Sequence, residues 1–572
     1  MKKLSIIIGG PAGSGVKSIG TMLAKSASRS GFSVLGYIEY PSLIRGGHNA
    51  YQVIISEDKT YCATKEVDIL VCLDRKSFDL HEHDLVKSAA VIFDDEEVKI
   101  DSNRGDLHFY HVPMTELAVK AGGAKIHGNS VALGAILALV GLDIKKAYGL
   151  IEEEFKKKGE SVISVNKKAL LLGYEYIGKT YSLKIDHQMT SKSKKPLMYI
   201  SGNEAMALGA IAGGCRFYAA YPMTPSTTIL HYLVQKERQL GMIVKQMEDE
   251  ISVINAAIGA GWAGVRSFVG TSGGGFSLMV EALGFAAMAE VPLVVANVQR
   301  PGPSTGLPTW TEQSDLKFVL GAGHGDFLRI VAAPGDVEEC FNITAESFNW
   351  AEKYQLPVVL LSDKYLAESF FTTDKFNQLN KIERGKILSK KELADLEQYK
   401  RYDYRVDGIS PRSIPGVKGG EALSNSDEHD EFGFSTEETE VRIKQMDKRF
   451  KKLGLMEAEI KNKIKFYGSK EADITLIGWG STKGAILEAQ EILKAKGKSV
   501  NFIQVIVLAP FPSKEIKKII SSSNKVYVIE NNKTGQLADM IEGLGSMTIN
   551  RILKYDGRPF FAEEIVKQIN NF

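Results

Sequence analysis

Short apolar runs alternate with longer amphipathic stretches in three parts of the chain. Apolar runs bounded by turn formers predict buried strands, and the periodic stretches between them predict helices. LSIII, VLGYI, YQVII, DILVCL and AVIFD are the strands expected first, then FYAAYP, SFVGTS, PLVVANV and PVVLLSD, and finally ITLIGWG, SVNFIQVIVLAPF and KVYVIENN. Strand–helix alternation of this kind predicts parallel sheets and a multidomain α/β fold.

The polar stretches between these parts set the expected boundaries. Residues 1–185 form the first segment, and the basic HQMTSKSKKP region makes 186–196 a linker. Residues 197–373 form the second segment, 374–470 a charged connection, and 471–572 the third segment. Within the connection, SNSDEHDEFGFSTEE reads as a mobile surface loop. Glu437 to Lys463 has the charge density of an exposed helix. A chain of 572 residues is too long for one core, which agrees with several domains.

Charge and cysteine content narrow the function classes. Lys+Arg 71 against Asp+Glu 69 leaves +2, so bulk charge points to neither nucleic acid nor an anionic membrane. The opening apolar run, Leu4 to Ile8, is too short for a signal peptide, and no stretch approaches a membrane span; a cytoplasmic location is expected. Cys62, Cys72, Cys215 and Cys340 include no CxxC pair, and their spacing suits neither zinc nor an iron–sulfur cluster. No metal is expected on this chain.

Several loops carry candidate chemistry. GGPAGSGVK, Gly9 to Lys17, follows a strand and opens a helix, where Gly13 and Gly15 let backbone N–H groups approach an anion. It fits neither the GxGxxG nor the Walker A pattern. Glu39, at the end of the next strand, keeps a dinucleotide reading open, as does a plain packing turn. YPSLIRGGHN offers Arg45 to an anion or makes a polar-rimmed turn.

The second segment is richer. In AAYPMTPST, Pro222 and Pro225 stiffen a loop that holds Thr224, while Ser226 and Thr227 fit helix caps. In QMEDEISVINAAIGAG, Glu250 stands before a run of small residues able to meet another backbone or a flat cofactor. Taken alone it is also a helix-dipole partner. Thr271, Ser272, Gly273 and Gly274 of TSGGGFS sit at a strand-to-helix turn that permits close approach of a ligand or facing subunit. Arg300 ends a strand in VANVQRPGPSTGLPT, where it either binds a carboxylate or satisfies loop carbonyls.

In this order YPMTPST, the glutamate of QMEDE, TSGGGFSLM and QRPGPSTGLPT resemble the alpha subunit of 2-oxoacid:ferredoxin oxidoreductases. GGPAGSGV and YPSLIRGGHN resemble the gamma subunit, and GWGSTKG, APFP and VIENN the transketolase C-terminal-like domain. The likeness spans nearly the whole chain apart from the charged connection. Its gamma–alpha order is similar to that of 2-oxoglutarate-type members.

The resemblance implies a gamma-like domain, a pyrimidine-binding thiamine diphosphate domain and a transketolase-like domain. It implies CoA-dependent oxidative decarboxylation of a 2-oxoacid, with 2-oxoglutarate favoured, to acyl-CoA and CO2, electrons passing to ferredoxin. It assigns Glu250 to N1′ of the aminopyrimidine, with Glu248 as the nearby alternative. Thr271, Ser272, Gly273 and Gly274 go to the cofactor, and Tyr221, Pro222, Thr224 and Arg300 to the substrate. Gly13, Gly15 and Arg45 are placed near CoA or another anion. RGDL, HGDF, VDGI and YDGR approach but do not give the GDG diphosphate motif. The resemblance therefore places Mg2+, the diphosphate end and a [4Fe–4S] cluster on a beta subunit, in a dimer of heterodimers.

Overall fold

The computed structural model describes residues 3–43, 47–181, 189, 195–377, 381–404, 407–545 and 549–571. Arg45 and most of the 186–196 linker lie outside the described residues. The chain forms two compact units, residues 1–201 with 368–375, and residues 202–367 with 376–572.

The first unit is built on an eight-stranded sheet. Lys3–Pro11, Val67–Cys72, Leu85–Phe93 and His108–His111 run parallel. His48–Ser56 is antiparallel to both Lys3–Pro11 and Ser33–Glu39, so half the sheet departs from the parallel arrangement expected. Only residues 40–47 separate Ser33–Glu39 from His48–Ser56, too few for the long crossover that parallel neighbours need. Phe370–Thr373 and Met198–Ser201 complete the sheet by antiparallel pairing, although the sequence reading grouped them with the second segment.

The helix Gly128–Val140, GNSVALGAILALV, is apolar all round and buried on every side. It lies backbone to backbone on Glu160–Thr180. A side chain at Gly134 or Gly173 would run into the carbonyls of Leu170 and Val131 respectively.

The second unit holds two sheets. In the seven-stranded one, Ile243–Gln246, Phe217–Ala220, Ser267–Thr271, Leu293–Gln299, Pro357–Asp363 and Ile330–Ala332 lie side by side and parallel. Val507–Ala509 closes its edge antiparallel. The five-stranded sheet runs parallel through Val500–Val505, Ile474–Gly478, Lys525–Glu530 and Asn550–Leu553, with Ile464–Tyr467 antiparallel at its edge.

One hydrophobic core joins the two sheets through residues such as Val295, Ile477, Trp479 and Val505. A polar knot pins the join. Gln313 Oε1 accepts from Asn531 N at 3.1 Å, and its Nε2 donates to the Trp479 carbonyl at 2.9 Å. Glu530, wholly buried, accepts from Trp479 Nε1 at 3.1 Å and from the backbone N–H of Leu537 and Ala538. The GWG and VIENN motifs thus hold the 300–315 loop that follows Arg300.

The connection is more deeply packed than its charge suggests. Its described helices are Lys390–Ala394, Thr439–Lys451 and Leu453–Ile460, and Gln445, Lys448, Arg449 and Lys452 are buried. Lys448 and Lys452 pair with buried Glu290, which is why one face of a lysine-rich helix is buried. The stretch read as a mobile loop buries His429, which bridges to Ser435. Among the described residues no single helix is long and apolar enough to cross a membrane.

Candidate active site at the strand ends

Four adjacent parallel strands end side by side in the second unit, and the candidate residues stand on the loops that leave them. Carboxyl ends of parallel strands are where open α/β sheets bind ligands.

Glu250 follows the Ile243–Gln246 strand. Asp249 caps the helix by accepting from Ser252 N at 2.7 Å, which makes Glu250 the first residue of Glu250–Trp262. Glu250 is 4% exposed, and its Oε1 is buried without a hydrogen-bond partner. Glu248 is exposed, so burial separates the two candidates. The Glu250 carboxylate packs on Gly275, where an added Cβ would fall 2.5 Å from Oε1. A buried carboxylate oxygen with no donor is costly unless a ligand supplies one.

Thr271 ends the Ser267–Thr271 strand, Ser272 follows it, and both are fully buried. Ser272 Oγ has no partner. Gly273 abuts Asp315, and a Cβ on Gly274 would meet nothing within 4 Å. This turn therefore presents bare backbone to open space.

Arg300 follows the Leu293–Gln299 strand and satisfies a loop carbonyl, the second of its two expected roles. Its Nη1 donates to the Thr224 carbonyl at 2.7 Å, while its Nε is buried without a partner. Burial lowers its pKa, opposed by the Asp315 carboxylate. One arm therefore fixes the Thr224 loop and another polar atom remains unmet.

Asn203 braces the same loop, donating to the Pro225 carbonyl at 2.8 Å and to Thr228 Oγ1 at 2.7 Å. Thr224 is half-buried, and Tyr221 and Pro222 are exposed. Ser226 does not cap the next helix as expected; its hydroxyl turns back to the Met223 carbonyl at 2.8 Å.

The sequence reading missed a supporting row. Asn297 Nδ2 donates to Asp315 Oδ2 at 3.1 Å, and Asp315 N donates to Gln299 Oε1 at 2.9 Å. Asn297 Oδ1 is buried and unpartnered. Burial raises the Asp315 carboxyl, and burial with Asp315 nearby pushes Glu312 up to about 7. Two amides in the otherwise apolar run of LVVANVQ were the available signal, because polar residues inside a buried strand need partners.

The first unit carries the glycine turn. Gly13 and Gly15 adopt φ of 86° and 95°, which side chains resist, and Gly15 packs on Asn129. A cavity of about 350 Å³ lies over the turn, with Asp94, Glu97 and Lys125 as its charged lining. Lys125 pairs with Glu97 at 2.6 Å, so this lining does not favour an anion. All four cysteines are buried free thiols.

Comparison with known proteins places these features. The pyruvate flavodoxin/ferredoxin oxidoreductase thiamine diphosphate-binding model matches residues 208–448, which contain the Glu250 site. Residues 5–176 match the pyruvate ferredoxin/flavodoxin oxidoreductase model, and 472–565 match core domain II of pyruvate:ferredoxin oxidoreductase. The protein is thus an α/β oxidoreductase subunit with a thiamine diphosphate-binding domain.

Subunit alpha of 2-oxoacid:ferredoxin oxidoreductase 2 from Aeropyrum pernix is 33% identical, covering 99% of this chain and 97% of that protein. Subunit KorA of 2-oxoglutarate synthase from Methanothermobacter marburgensis is 34% identical over 65% of this chain and 98% of its own length. A 2-oxoglutarate:ferredoxin oxidoreductase from Magnetococcus marinus, solved with 2-oxoglutarate, coenzyme A and succinyl-CoA bound, matches with a TM-score of 0.93. It is 32% identical, covering 100% of this chain and 99% of that one. The chain belongs to the 2-oxoacid:ferredoxin oxidoreductase family, as an alpha subunit.

Proposed function

We propose that this subunit contributes the aminopyrimidine and substrate wall of a shared thiamine diphosphate site. The enzyme would oxidise 2-oxoglutarate with CoA to succinyl-CoA and CO2, the electron pair passing to ferredoxin. One observation carries this reading: the buried, unpartnered Glu250 Oε1 against Gly275, inside the thiamine diphosphate-binding match. An acceptor without a donor, at a helix start and beside open backbone, fits a ring nitrogen that carries a proton.

Bound thiamine diphosphate supplies a carbon nucleophile and an electron sink for decarboxylation. Glu250 holds the proton at N1′ and so sets the tautomer of the aminopyrimidine. Thr271, Ser272, Gly273 and Gly274 give it a close backbone wall. Arg300, braced through the Thr224 carbonyl, offers its remaining donors to the substrate carboxylate, and the Asp315 carboxylate favours its charged form against burial. Tyr221, Pro222 and Thr224 form the substrate rim. The bound molecules of the Magnetococcus enzyme favour 2-oxoglutarate and CoA here.

Mg2+, the diphosphate end and a [4Fe–4S] cluster are assigned to a beta subunit. The assembly is a dimer of heterodimers in the cytoplasm. The test is a CoA-dependent assay of the assembled enzyme across several 2-oxoacids, following ferredoxin reduction. Highest kcat/KM on 2-oxoglutarate supports the reading; a clear preference for pyruvate or indolepyruvate rejects the substrate assignment.

A further inference from the structure

A cavity of about 450 Å³ lies within the second unit at the far end of the Glu250–Trp262 helix, under the connection. That end is about 18 Å from Glu250 at the ordinary rise of an α-helix. Trp262, Glu290, Pro292, Arg401, Arg412 and Glu421 are among its walls.

Positive charge is in excess around it. Glu290, wholly buried, has Lys448 and Lys452 as ion-pair partners, and Arg401 donates Nη2 to its backbone carbonyl at 2.8 Å. Buried Glu352 holds Arg266 and Arg384 at 2.8 Å and Arg412 at 2.5 Å. Three cations thus pair with the Glu352 carboxylate and two with that of Glu290, beside which Arg401 also stands. Burial, with Lys452 and Arg401 close by, pushes Lys448 down to about 8 despite Glu290. Burial, with Arg401 and Arg384, likewise pushes Arg412 down to about 10 despite Glu352.

Arg401 and Arg412 are each 3% exposed, and both line the cavity. Each keeps one buried N–H without a hydrogen-bond partner, Nη1 of Arg401 and Nε of Arg412. Native proteins pair such groups, and guanidinium donors suit oxyanions best. Trp262 and Pro292 add apolar surface, with Arg401 5.9 Å from the Trp262 ring centre. Glu421, exposed, is the acidic residue at the rim.

We propose that this cavity binds a small organic or inorganic oxyanion, a carboxylate or a phosphate, between Arg401 and Arg412. It is separate from the candidate active site and draws on none of its residues.

The test is calorimetric titration of the enzyme assembled with its partner, at constant ionic strength. Inorganic phosphate is used in one arm and succinate in the other, to separate the two sources of the charge. Arg412→Gln removes one cationic ligand. Ala422→Phe fills the cavity and leaves every cation in place, so loss of a buried charge cannot mimic its effect. Saturable binding in at least one arm, weakened tenfold or more by both variants, supports the site. Absence of saturable binding in both arms, or binding unchanged in both variants, overturns it. Thermal unfolding of each variant, run alongside, shows that the fold survives.

Discussion

Glu250 and Gly275 are in contact: even a methyl group on Gly275 would fall 2.5 Å from Glu250 Oε1. The glycine therefore sets where the carboxylate stands. Gly275→Ala is expected to displace Glu250 and lower kcat of the assembled enzyme about 10²-fold, the scale of a misplacement near 1 Å. Overpacking should remove only ~1–3 kcal/mol of stability, so far-UV circular dichroism should remain that of the wild type.

Glu250→Gln keeps the shape and removes the charge. Loss of an acid–base group lowers turnover by roughly 10²–10⁴-fold. Subunit assembly, followed by size-exclusion chromatography, should survive. Glu248→Ala, at the exposed neighbour, should leave turnover near the wild-type value.

Arg300→Lys keeps a cation and loses the fork that reaches the Thr224 carbonyl. A hydrogen bond to a charged group contributes about 1.5–3 kcal/mol, so KM for the 2-oxoacid should rise roughly ten- to a hundredfold. The KM for CoA should change little.

Glu312 gives a pH signature. Its folded pKa is raised to about 7 by burial and by Asp315, above its ordinary 4.5. The folded state therefore favours the protonated form. The stability that goes with it is full below about 4.5 and is lost as pH rises through 7. Glu312→Gln should abolish that loss. Thermal midpoints measured from pH 4.5 to 8 should converge at the acid end, with the variant the more stable at the alkaline end.

Much of the site was legible because its motifs are local. Thr271 to Gly274 and Arg300 follow strands that the apolar runs located, whereas the short Ile243–Gln246 strand before Glu250, with two polar residues in four, was not among those expected. Asp315 was harder, because its partners Asn297 and Gln299 lie in the strand before the long proline-rich loop. The charged connection misled for a similar reason. Lys448 reads as solvated until its partner Glu290, 158 residues away, is seen to be buried with it. The antiparallel half of the first sheet depended on a hairpin and on two four-residue strands, Met198–Ser201 and Phe370–Thr373, too short to carry a pattern.

The buried pairing of Glu290 makes a stability prediction of its own. Glu290→Gln leaves Lys448 and Lys452 without their carboxylate. Breaking a buried pair from one side costs about 3–5 kcal/mol, so the thermal midpoint should fall clearly by calorimetry.

The central claim is that this chain supplies one wall of a shared site. The most direct measurement is 2-oxoglutarate- and CoA-dependent viologen reduction, by the purified chain alone and after addition of its partner subunit. No turnover alone, and CoA-dependent turnover with the partner that Glu250→Gln lowers by roughly 10²–10⁴-fold, is the result predicted. Full turnover by the chain alone would contradict it.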